Sequence, residues 1–364
     1  MIRHLVVITL LAFILPCSAQ IRIGQTAGFT GTVASSVKEL TDGAKLYFDA
    51  VNARGGVHGQ AVELVSLDDQ FNAAQTLENA RKLIADPSIT ALFLSRGTEH
   101  TRGIMPLLSE ARIALVAPST GAMFLHEPVH PWLFNVRAPY QREAEKAIRH
   151  LSLIGIERIA IVQAGDAFGA DVAAGAAKGF GAVAKKPVLL EKFDRSAPAF
   201  APIASKVVKA DAQAVLFIGS GEEVANGLAS LRAAGSKAQV VTLSNNASAG
   251  FVKSLKEHAP GTIVTQVFPS LSTQIVKEAY DLARAKGMAE VTPAMLEGYT
   301  GAKVLVEGLK RAGPNPTRQK LRDALEGMQQ VNIGGLEVTY GPKDHTGVEF
   351  ADLSIIGQDG KFRR

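Results

Sequence analysis

The sequence predicts an α/β protein with two parallel-sheet units arranged in tandem. Its 364 residues are more than a single hydrophobic core usually supports. Short apolar runs alternate with helical patterns along the chain, and the alternation restarts near residue 141. The C-terminal part has too few strand patterns to close a third unit, so we expect it to complete the other two.

The first unit contains four apolar runs that predict strands, at residues 21–24, 61–67, 90–94 and 113–117. Between them lie helical patterns, such as the one after Asn72, where Leu77, Ala80 and Ile84 form an apolar stripe with a spacing near 3.6. Strands and helices in this order are typical of a parallel sheet that is covered on both faces.

The second unit begins with a predicted helix at 141–153, and its predicted strands are 158–163, 188–193, 214–218, 239–243 and 262–267. A helix at 222–234 stops at Gly235, as a C-terminal cap would. Farther on, Thr292-Pro293 and Asn315-Pro316 predict two long helices with a proline in the first turn. Short strands near 337–340 and 351–356 follow, so the chain has to cross between the units more than once.

The N-terminus predicts an export signal. A short basic start precedes an apolar run at 5–15 that is too short to span a bilayer as a helix. Small residues then favour cleavage after Ala19, which assigns residues 1–19 to a signal peptide and predicts a soluble, periplasmic mature protein. Lipid attachment at Cys17 is the alternative, although Pro16 fits a lipoprotein signal poorly.

Composition excludes several classes of function. Cys17 is the only cysteine, so a cleaved chain has no disulfide, zinc–thiolate site or cysteine nucleophile. The formal charge is +5, but the basic residues are scattered and aromatics are few, which argues against nucleic-acid binding. The sequence also lacks a P-loop, a dinucleotide-binding glycine motif and H-E-x-x-H. We therefore predict no cofactor, no metal site and no catalytic residue.

Four predicted strands end in small polar residues, at 95–99, 118–121, 219–221 and 244–246. Ligands of open parallel sheets bind at the carboxyl ends of the strands. Each polar loop leads into a helix whose first N–H groups are unpaired and partly positive, which suits a carboxylate. One such loop alone would be an ordinary helix cap, so the argument depends on all four occurring together.

A serine at a strand tip leaves one enzymatic alternative, an exported α/β hydrolase that uses Ser119 or Ser220. Gly219-Ser220-Gly221 lacks the flanking glycines of a G-x-S-x-G nucleophile elbow. No base–nucleophile pair is recognisable in the sequence.

The stretch N-A-R-G-G-V-H-G at 52–59, followed by a strand and Asp68-Asp69, is the most specific motif of the chain. With the segments 23–28, 96–122, 133–151 and 156–172, the sequence resembles type I periplasmic solute-binding proteins. Within that family it is similar to the branched-chain amino-acid (leucine, isoleucine and valine) receptor class of ABC importers. The resemblance covers essentially the whole mature chain.

The resemblance implies two Rossmann-like lobes, joined by three hinge crossovers, with the ligand in the cleft between them. We assign residues 20–137 and 268–343 to lobe 1, and residues 138–267 and 344–364 to lobe 2. It also implies a receptor that binds an amino acid or related small carboxylate and presents it to a membrane ABC permease by hinge closure. We expect the receptor to be a monomer. A sensory receptor of the same fold, which signals to a membrane kinase or chemoreceptor, remains an alternative.

The resemblance also implies which residues bind the ligand. In such receptors lobe 1 holds an α-carboxylate with hydroxyl and backbone N–H groups, and an aromatic side chain of lobe 2 covers the ligand. The corresponding residues are Ser36, Gly97, Thr98, Ser119, Thr120 and Gly121 in lobe 1, and Asp166, Phe168, Ser220 and Asn245 in lobe 2.

Three features depart from the family pattern, and one of them is that the loop at 219–221 lacks the aromatic residue often found there. The lobe 2 strand end at 243–246, where an acid usually pairs with the ligand ammonium, reads Leu-Ser-Asn-Asn. A buried ammonium without a partner is costly, so Asp166 or Glu222 would have to substitute. Arg96 and Glu99, beside Thr98, are bulkier and more charged than the small residues expected there. A non-amino organic acid, aromatic or aliphatic, is therefore an alternative ligand.

Overall fold

A computed structural model of the chain describes residues 20–269 and 273–363. The predicted signal peptide at 1–19, its cleavage point after Ala19 and the alternative lipid site Cys17 lie outside the described residues. In the part of the chain that the structure describes, no helix is long and apolar enough to cross a membrane.

Lobe 1 is built on a five-stranded parallel sheet with the order β2-β1-β3-β4-β5. Its strands are β1 (Ile21–Ala27), β2 (Val62–Asp68), β3 (Ile89–Phe93), β4 (Ala114–Val116) and β5 (Leu133–Phe134). Its first helices are α1 (Ala34–Asn52), α2 (Ala73–Ala85) and α3 (Thr98–Glu110). The four strands predicted for the first unit are confirmed, and the buried side chains of β3 and β4 explain their continuous apolar runs.

Lobe 2 repeats this architecture with five parallel strands in the order β7-β6-β8-β9-β10. The strands are β6 (Ile159–Ala164), β7 (Leu189–Phe193), β8 (Ala214–Ile218), β9 (Gln239–Thr242) and β10 (Ile263–Gln266). The helices are α4 (Tyr140–Leu153), α5 (Ala167–Ala182), α6 (Phe200–Lys209), α7 (Gly221–Ala233) and α8 (Ala249–Ser254). The predicted pair of tandem α/β units is therefore confirmed.

The C-terminal part contributes to both lobes, as predicted. Its elements are α9 (Gln274–Ala285), α10 (Pro293–Ala312), α11 (Arg318–Glu326), β11 (Val331–Asn332), β12 (Glu337–Gly341), β13 (Asp344–Gly347), β14 (Asp352–Ile356) and β15 (Phe362–Arg363). The three helices share a core with α1 and the lobe 1 sheet. Strand β14 pairs with β10 in the antiparallel direction, and β15 pairs with β14, so both extend the lobe 2 sheet.

Two predicted positions in this region are wrong. Helix α11 begins at Arg318 and is capped by Thr317, whose Oγ1 accepts from the Lys320 N–H, rather than beginning at Asn315-Pro316. Residues 344–347, assigned to lobe 2, form β13 and pair with β12 in a small antiparallel sheet beside lobe 1. The carbonyl of His345 also accepts from the Asn135 N–H next to β5. The short polar sequence Asp-His-Thr-Gly has no strand pattern, which is why β13 was not predicted. Because β13 pairs beside lobe 1 and β14 pairs in the lobe 2 sheet, the third crossover lies between β13 and β14.

Helices α1 and α10 cross at backbone contact, which fixes the position of α10 under the cleft. A Cβ atom at Gly43 of α1 would lie 1.9 Å from the Met295 carbonyl oxygen. A Cβ atom at Gly298 of α10 would lie 1.8 Å from the Leu40 carbonyl oxygen. Only glycine at both positions allows the helices to approach so closely.

Replacing Gly43 with alanine is therefore expected to lower the free energy of unfolding by about 1–3 kcal/mol, because the helices must separate. The matched control is Gly103→Ala in α3, where an added Cβ would meet no atom within 4 Å. That substitution is expected to stabilise the protein by up to about 1 kcal/mol. Urea unfolding of both variants measures the effects, and an equal change in both would contradict the packing argument.

His126 is expected to make stability depend on pH. Its ring is buried, its Nδ1 lies 3.1 Å from the Thr346 Oγ1, and burial lowers its pKa to about 4. As the pH falls below about 6.5, His126 becomes protonated in the unfolded chain but stays neutral in the native protein. The free energy of unfolding therefore decreases. The loss should reach about 2–3 kcal/mol at pH 4.5. Urea unfolding at pH 7 and pH 4.5 measures the effect, and His126→Gln should reduce the difference in unfolding free energy between the two pH values. A difference equal to that of the wild type would contradict the role of His126.

Candidate ligand-binding cleft

The four polar loops predicted from the sequence meet between the two sheets. The backbone N–H of Ser119, after β4, donates to the Ser95 carbonyl, after β3, at 2.7 Å. On the other side, Asn245, after β9, donates from its side chain to the Gly219 carbonyl, after β8, at 3.1 Å. Arg96 hydrogen-bonds to both sides. This convergence follows from the parallel topology, which places the carboxyl ends of neighbouring strands at one edge.

Arg96 spans the cleft between the two lobes. Its Nη1 donates to Ser119 Oγ at 3.0 Å in lobe 1, and its Nη2 donates to the Asn245 carbonyl at 2.9 Å in lobe 2. The side chain is buried, with 5% of the residue exposed. Among the described residues no carboxylate contacts the guanidinium, and burial, the largest influence, lowers the pKa of Arg96. The cleft therefore contains a buried positive charge whose direct partners are both neutral.

Three further predicted lobe 1 residues, Gly97, Thr98 and Thr120, lie around the start of α3. Gly97 has φ 99°, which favours glycine, and a Cβ there would lie 2.5 Å from His100 Nδ1. The hydroxyls of Thr98 and Thr120 lie 3.0 Å apart and are both buried. The His100 ring stacks on Phe71 with centroids 4.3 Å apart, and burial lowers its pKa, which keeps it neutral.

Lobe 2 contributes a cluster around Arg195, on the loop after β7. Its Nε donates to Asp166 Oδ2 at 2.6 Å, and its Nη1 donates to both Glu223 oxygens at 2.7 and 2.9 Å. Its guanidinium carbon also lies 5.6 Å from the centre of the Phe168 ring. Asp166 caps α5 by accepting from the Gly169 N–H at 2.9 Å. Arg195 thus binds both Asp166 and Glu223.

A second buried ion cluster joins the first crossover to both lobes. Arg137 is 1% exposed and donates to Glu297 of α10 at 3.2 Å, to Glu143 of α4 at 2.5 Å and to Ser244 Oγ at 2.7 Å. Ser119 Oγ donates to the same Glu297 at 2.9 Å. Hydrogen bonds therefore run without interruption from Asn245 through Arg96, Ser119 and Glu297 to Arg137, and back to lobe 2.

Most of the predicted binding residues belong to the loops that meet at the cleft. Ser119, Thr98, Thr120 and Asn245 belong to the loops that meet there, and Ser220 begins α7 beside them, its N–H donating to Glu223 at 2.7 Å. Their contact with a ligand remains a prediction, as it does for Gly97, Asp166 and Phe168.

Ligand contact remains a prediction for Ser36 and Gly121 as well, and the structure shows a local role for each. The Ser36 hydroxyl donates to the Val33 carbonyl at 2.9 Å, within the first turn of α1. A Cβ at Gly121 would lie 2.8 Å from the Ala138 carbonyl oxygen, so this glycine allows the first crossover to pack against the loop. Glu222, considered as an ammonium partner, is exposed.

Sequence reasoning missed Arg195, Arg137 and Glu297. Arg195 follows a predicted strand directly, in Asp194-Arg195-Ser196, and its position at a strand tip was an available signal. Arg137 and Glu297 are 160 positions apart in the sequence, and no local pattern indicates that they meet.

Comparison with known proteins identifies the family. The family model described as periplasmic binding protein matches residues 20–359. The chain belongs to the periplasmic binding protein family. Among curated relatives, a Leu/Ile/Val-binding protein of Rhizobium johnstonii is 24% identical over 91% of this chain and 90% of its own. A Leu/Ile/Val-binding protein homolog of Brucella melitensis is 24% identical over 88% of this chain and 87% of its own.

Solved structures of this family superpose closely on the chain. A substrate-binding periplasmic protein from Ralstonia solanacearum is 29% identical, with a TM-score of 0.87 over 94% of this chain and 99% of its own. An extracellular ligand-binding receptor from Verminephrobacter eiseniae is 28% identical, with a TM-score of 0.86 over 95% of this chain and 100% of its own. The predicted two-lobed fold is confirmed, and family membership places the chain among solute-binding receptors rather than enzymes.

Proposed function

We propose that this chain is a periplasmic receptor that binds an amino acid or a related small carboxylate in the cleft between its lobes. The observation that carries the proposal is Arg96, a buried cation with only neutral direct partners. A buried charge is costly unless it is paired, and a planar guanidinium pairs with a carboxylate through two parallel hydrogen bonds. The N-terminus of α3 starts two residues later, at Thr98, and adds unpaired N–H groups that favour an anion.

The relatives support the same chemistry. Two of them are named for binding leucine, isoleucine and valine, which share an α-carboxylate. At 24% identity, these relatives support a carboxylate as the class of ligand. Which side chain the ligand carries is a question for the binding experiments below.

We further propose that the receptor is a monomer that delivers its ligand to a membrane ABC permease by closing about the three crossovers. Contacts between the lobes support a closed form. Besides the Arg96–Asn245 bond, Glu39 of α1 accepts from the N–H groups of Ala249 and Gly250 in α8, both at 3.0 Å. A ligand that bridges the lobes would favour this form over an open one. Deletion of the gene should abolish uptake of the ligand, whereas intact uptake would favour a sensory receptor.

A thermal-shift screen of ligand-stripped protein tests the binding proposal. The panel pairs each amino acid with its deaminated acid and with its amide, which lacks the carboxylate. A ligand at about one hundred times its dissociation constant should stabilise the protein by about 2.7 kcal/mol. Free carboxylates should raise the midpoint and the matched amides should not. Equal stabilisation by amides, or no response to any carboxylate, would contradict the proposal.

A further inference from the structure

We infer that Arg195 occupies the place of a ligand ammonium, so that the cleft selects small carboxylates that lack an α-ammonium group. The inference rests on the proposed function, since it names the class of carboxylate that the same site accepts. It concerns lobe 2, whereas the carboxylate is assigned to Arg96, which spans the cleft.

The geometry around Arg195 is that of a site for a cation. Two carboxylates and one aromatic ring, those of Asp166, Glu223 and Phe168, surround a single guanidinium. Carboxylates and aromatic faces are the groups that bind an ammonium in proteins. Here the protein's own side chain fills that site, with N–O distances of 2.6 to 2.9 Å.

Both acids also accept backbone hydrogen bonds, which hold them on Arg195. Asp166 Oδ1 accepts from the Gly169 N–H at 2.9 Å, and Glu223 Oε2 accepts from the Ser220 N–H at 2.7 Å. These bonds are parts of the helix caps of α5 and α7, so the carboxylates cannot turn away without opening both helix ends. An ammonium approaching them would meet the guanidinium, a like charge.

The other acids near the cleft have partners as well. Glu297 and Glu143 bind the guanidinium of Arg137. Glu99 lies in an exposed pair with Arg102 at 3.5 Å. Asp69 accepts from the hydroxyls of Thr26 and Thr76. In the described part of the chain, each of these four buried or rim acids is already bonded to another protein group.

The cations of the cleft come from both lobes. Arg96 is on the loop after β3 and bonds to the loops after β4 and β9, and Arg195 is on the loop after β7. The charge of Arg195 adds to burial in lowering the pKa of Arg96 and of His100. Arg195 is outnumbered by its two carboxylates, so Arg96 is the cation left for a ligand anion, and a zwitterion would still need a carboxylate that Arg195 does not already hold.

Isothermal calorimetry on the ligand-stripped mature chain tests the inference. The probes are matched pairs, leucine with 4-methylpentanoate and phenylalanine with 3-phenylpropanoate, extended to any pair that responds in the thermal-shift screen. Wild type should bind the deaminated acid at least tenfold more tightly than the amino acid. Arg195→Met frees Asp166 and Glu223 for an ammonium, so this ratio should fall by at least tenfold.

Two further variants keep the result interpretable. Arg195→Lys retains the cation and should retain the preference, and it serves as the second variant if Arg195→Met does not fold. Arg158→Met is the matched control, because Arg158 forms an exposed pair with Asp211 in the same lobe, and its ratio should equal that of wild type.

The possible outcomes distinguish failure of the inference about Arg195 from failure of the proposed function. A wild type that prefers amino acids, or a ratio that Arg195→Met leaves unchanged, overturns the inference and leaves the proposed function standing. A preference lost in Arg195→Lys also overturns it, since the charge would then not be the cause. If no carboxylate of either kind binds, the proposed function fails and the inference fails with it.

Discussion

Arg96→Met is expected to weaken binding of the ligand carboxylate by about tenfold to a hundredfold. Hydrogen bonds to a charged partner contribute about 1.5–3 kcal/mol, and a tenfold change in affinity corresponds to about 1.4 kcal/mol. The variant also loses the bond from Arg96 to the Asn245 carbonyl, which joins the lobes at 2.9 Å. Calorimetry with the tightest ligand found in the thermal-shift screen measures the change.

The matched control for this experiment is Arg102→Met. Arg102 lies on the same segment, in α3, but its side chain is half exposed in a pair with Glu99. Exposed pairs contribute little, so affinity should change less than about threefold. If Arg96→Met and Arg102→Met alter affinity equally, Arg96 does not bind the ligand.

Arg137→Met is expected to cost about 3–5 kcal/mol of folding free energy, the largest stability effect that we predict. The substitution leaves Glu143 and Glu297 without their cation, and their side chains are 0% and 8% exposed. Removing one partner of a buried ion pair leaves the other charge unpaired in the protein interior, which solvates it poorly. Urea unfolding of the ligand-free protein measures the loss.

A double variant tests whether unpaired buried charge causes the loss of stability in Arg137→Met. Arg137→Met combined with Glu297→Gln removes one of the two stranded carboxylates, so it should be more stable than Arg137→Met alone. Arg158→Met, in an exposed pair, should cost less than about 1 kcal/mol. A double variant that is less stable than Arg137→Met would show that lost packing, rather than charge, causes the effect.

The fold was largely predictable because its determinants are local. Apolar runs and helical stripes mark the strands and helices, and the order of these elements implies a parallel sheet. Strand β13 was not predicted because Asp344–Gly347 is polar. The start of α11 was mispredicted because Asn315-Pro316 has the pattern of an N-cap with a first-turn proline, whereas Thr317 is the cap of this helix. Tertiary pairing with β12, rather than propensity, makes β13 a strand.

The position of the candidate site was predictable from the sequence, but the pairing of its charged side chains was not. Parallel topology brings Ser119 and Asn245 to one cleft, and both were predicted from their strand tips. The charges were not predictable, because pairing depends on side-chain positions in space. Arg195 meets Asp166 across 29 positions of sequence, and Arg137 meets Glu297 across 160. These pairings decide which charges remain available to a ligand.

The measurement that most directly tests the central claim is a crystal structure of the mature protein with its tightest carboxylate ligand. The ligand should lie between the loops after β3, β4 and β9, with carboxylate oxygens about 3 Å from the Arg96 guanidinium nitrogens. Arg195 should still bind Asp166 and Glu223. A carboxylate bound elsewhere, with Arg96 still bonded only to Ser119 and Asn245, would contradict the account.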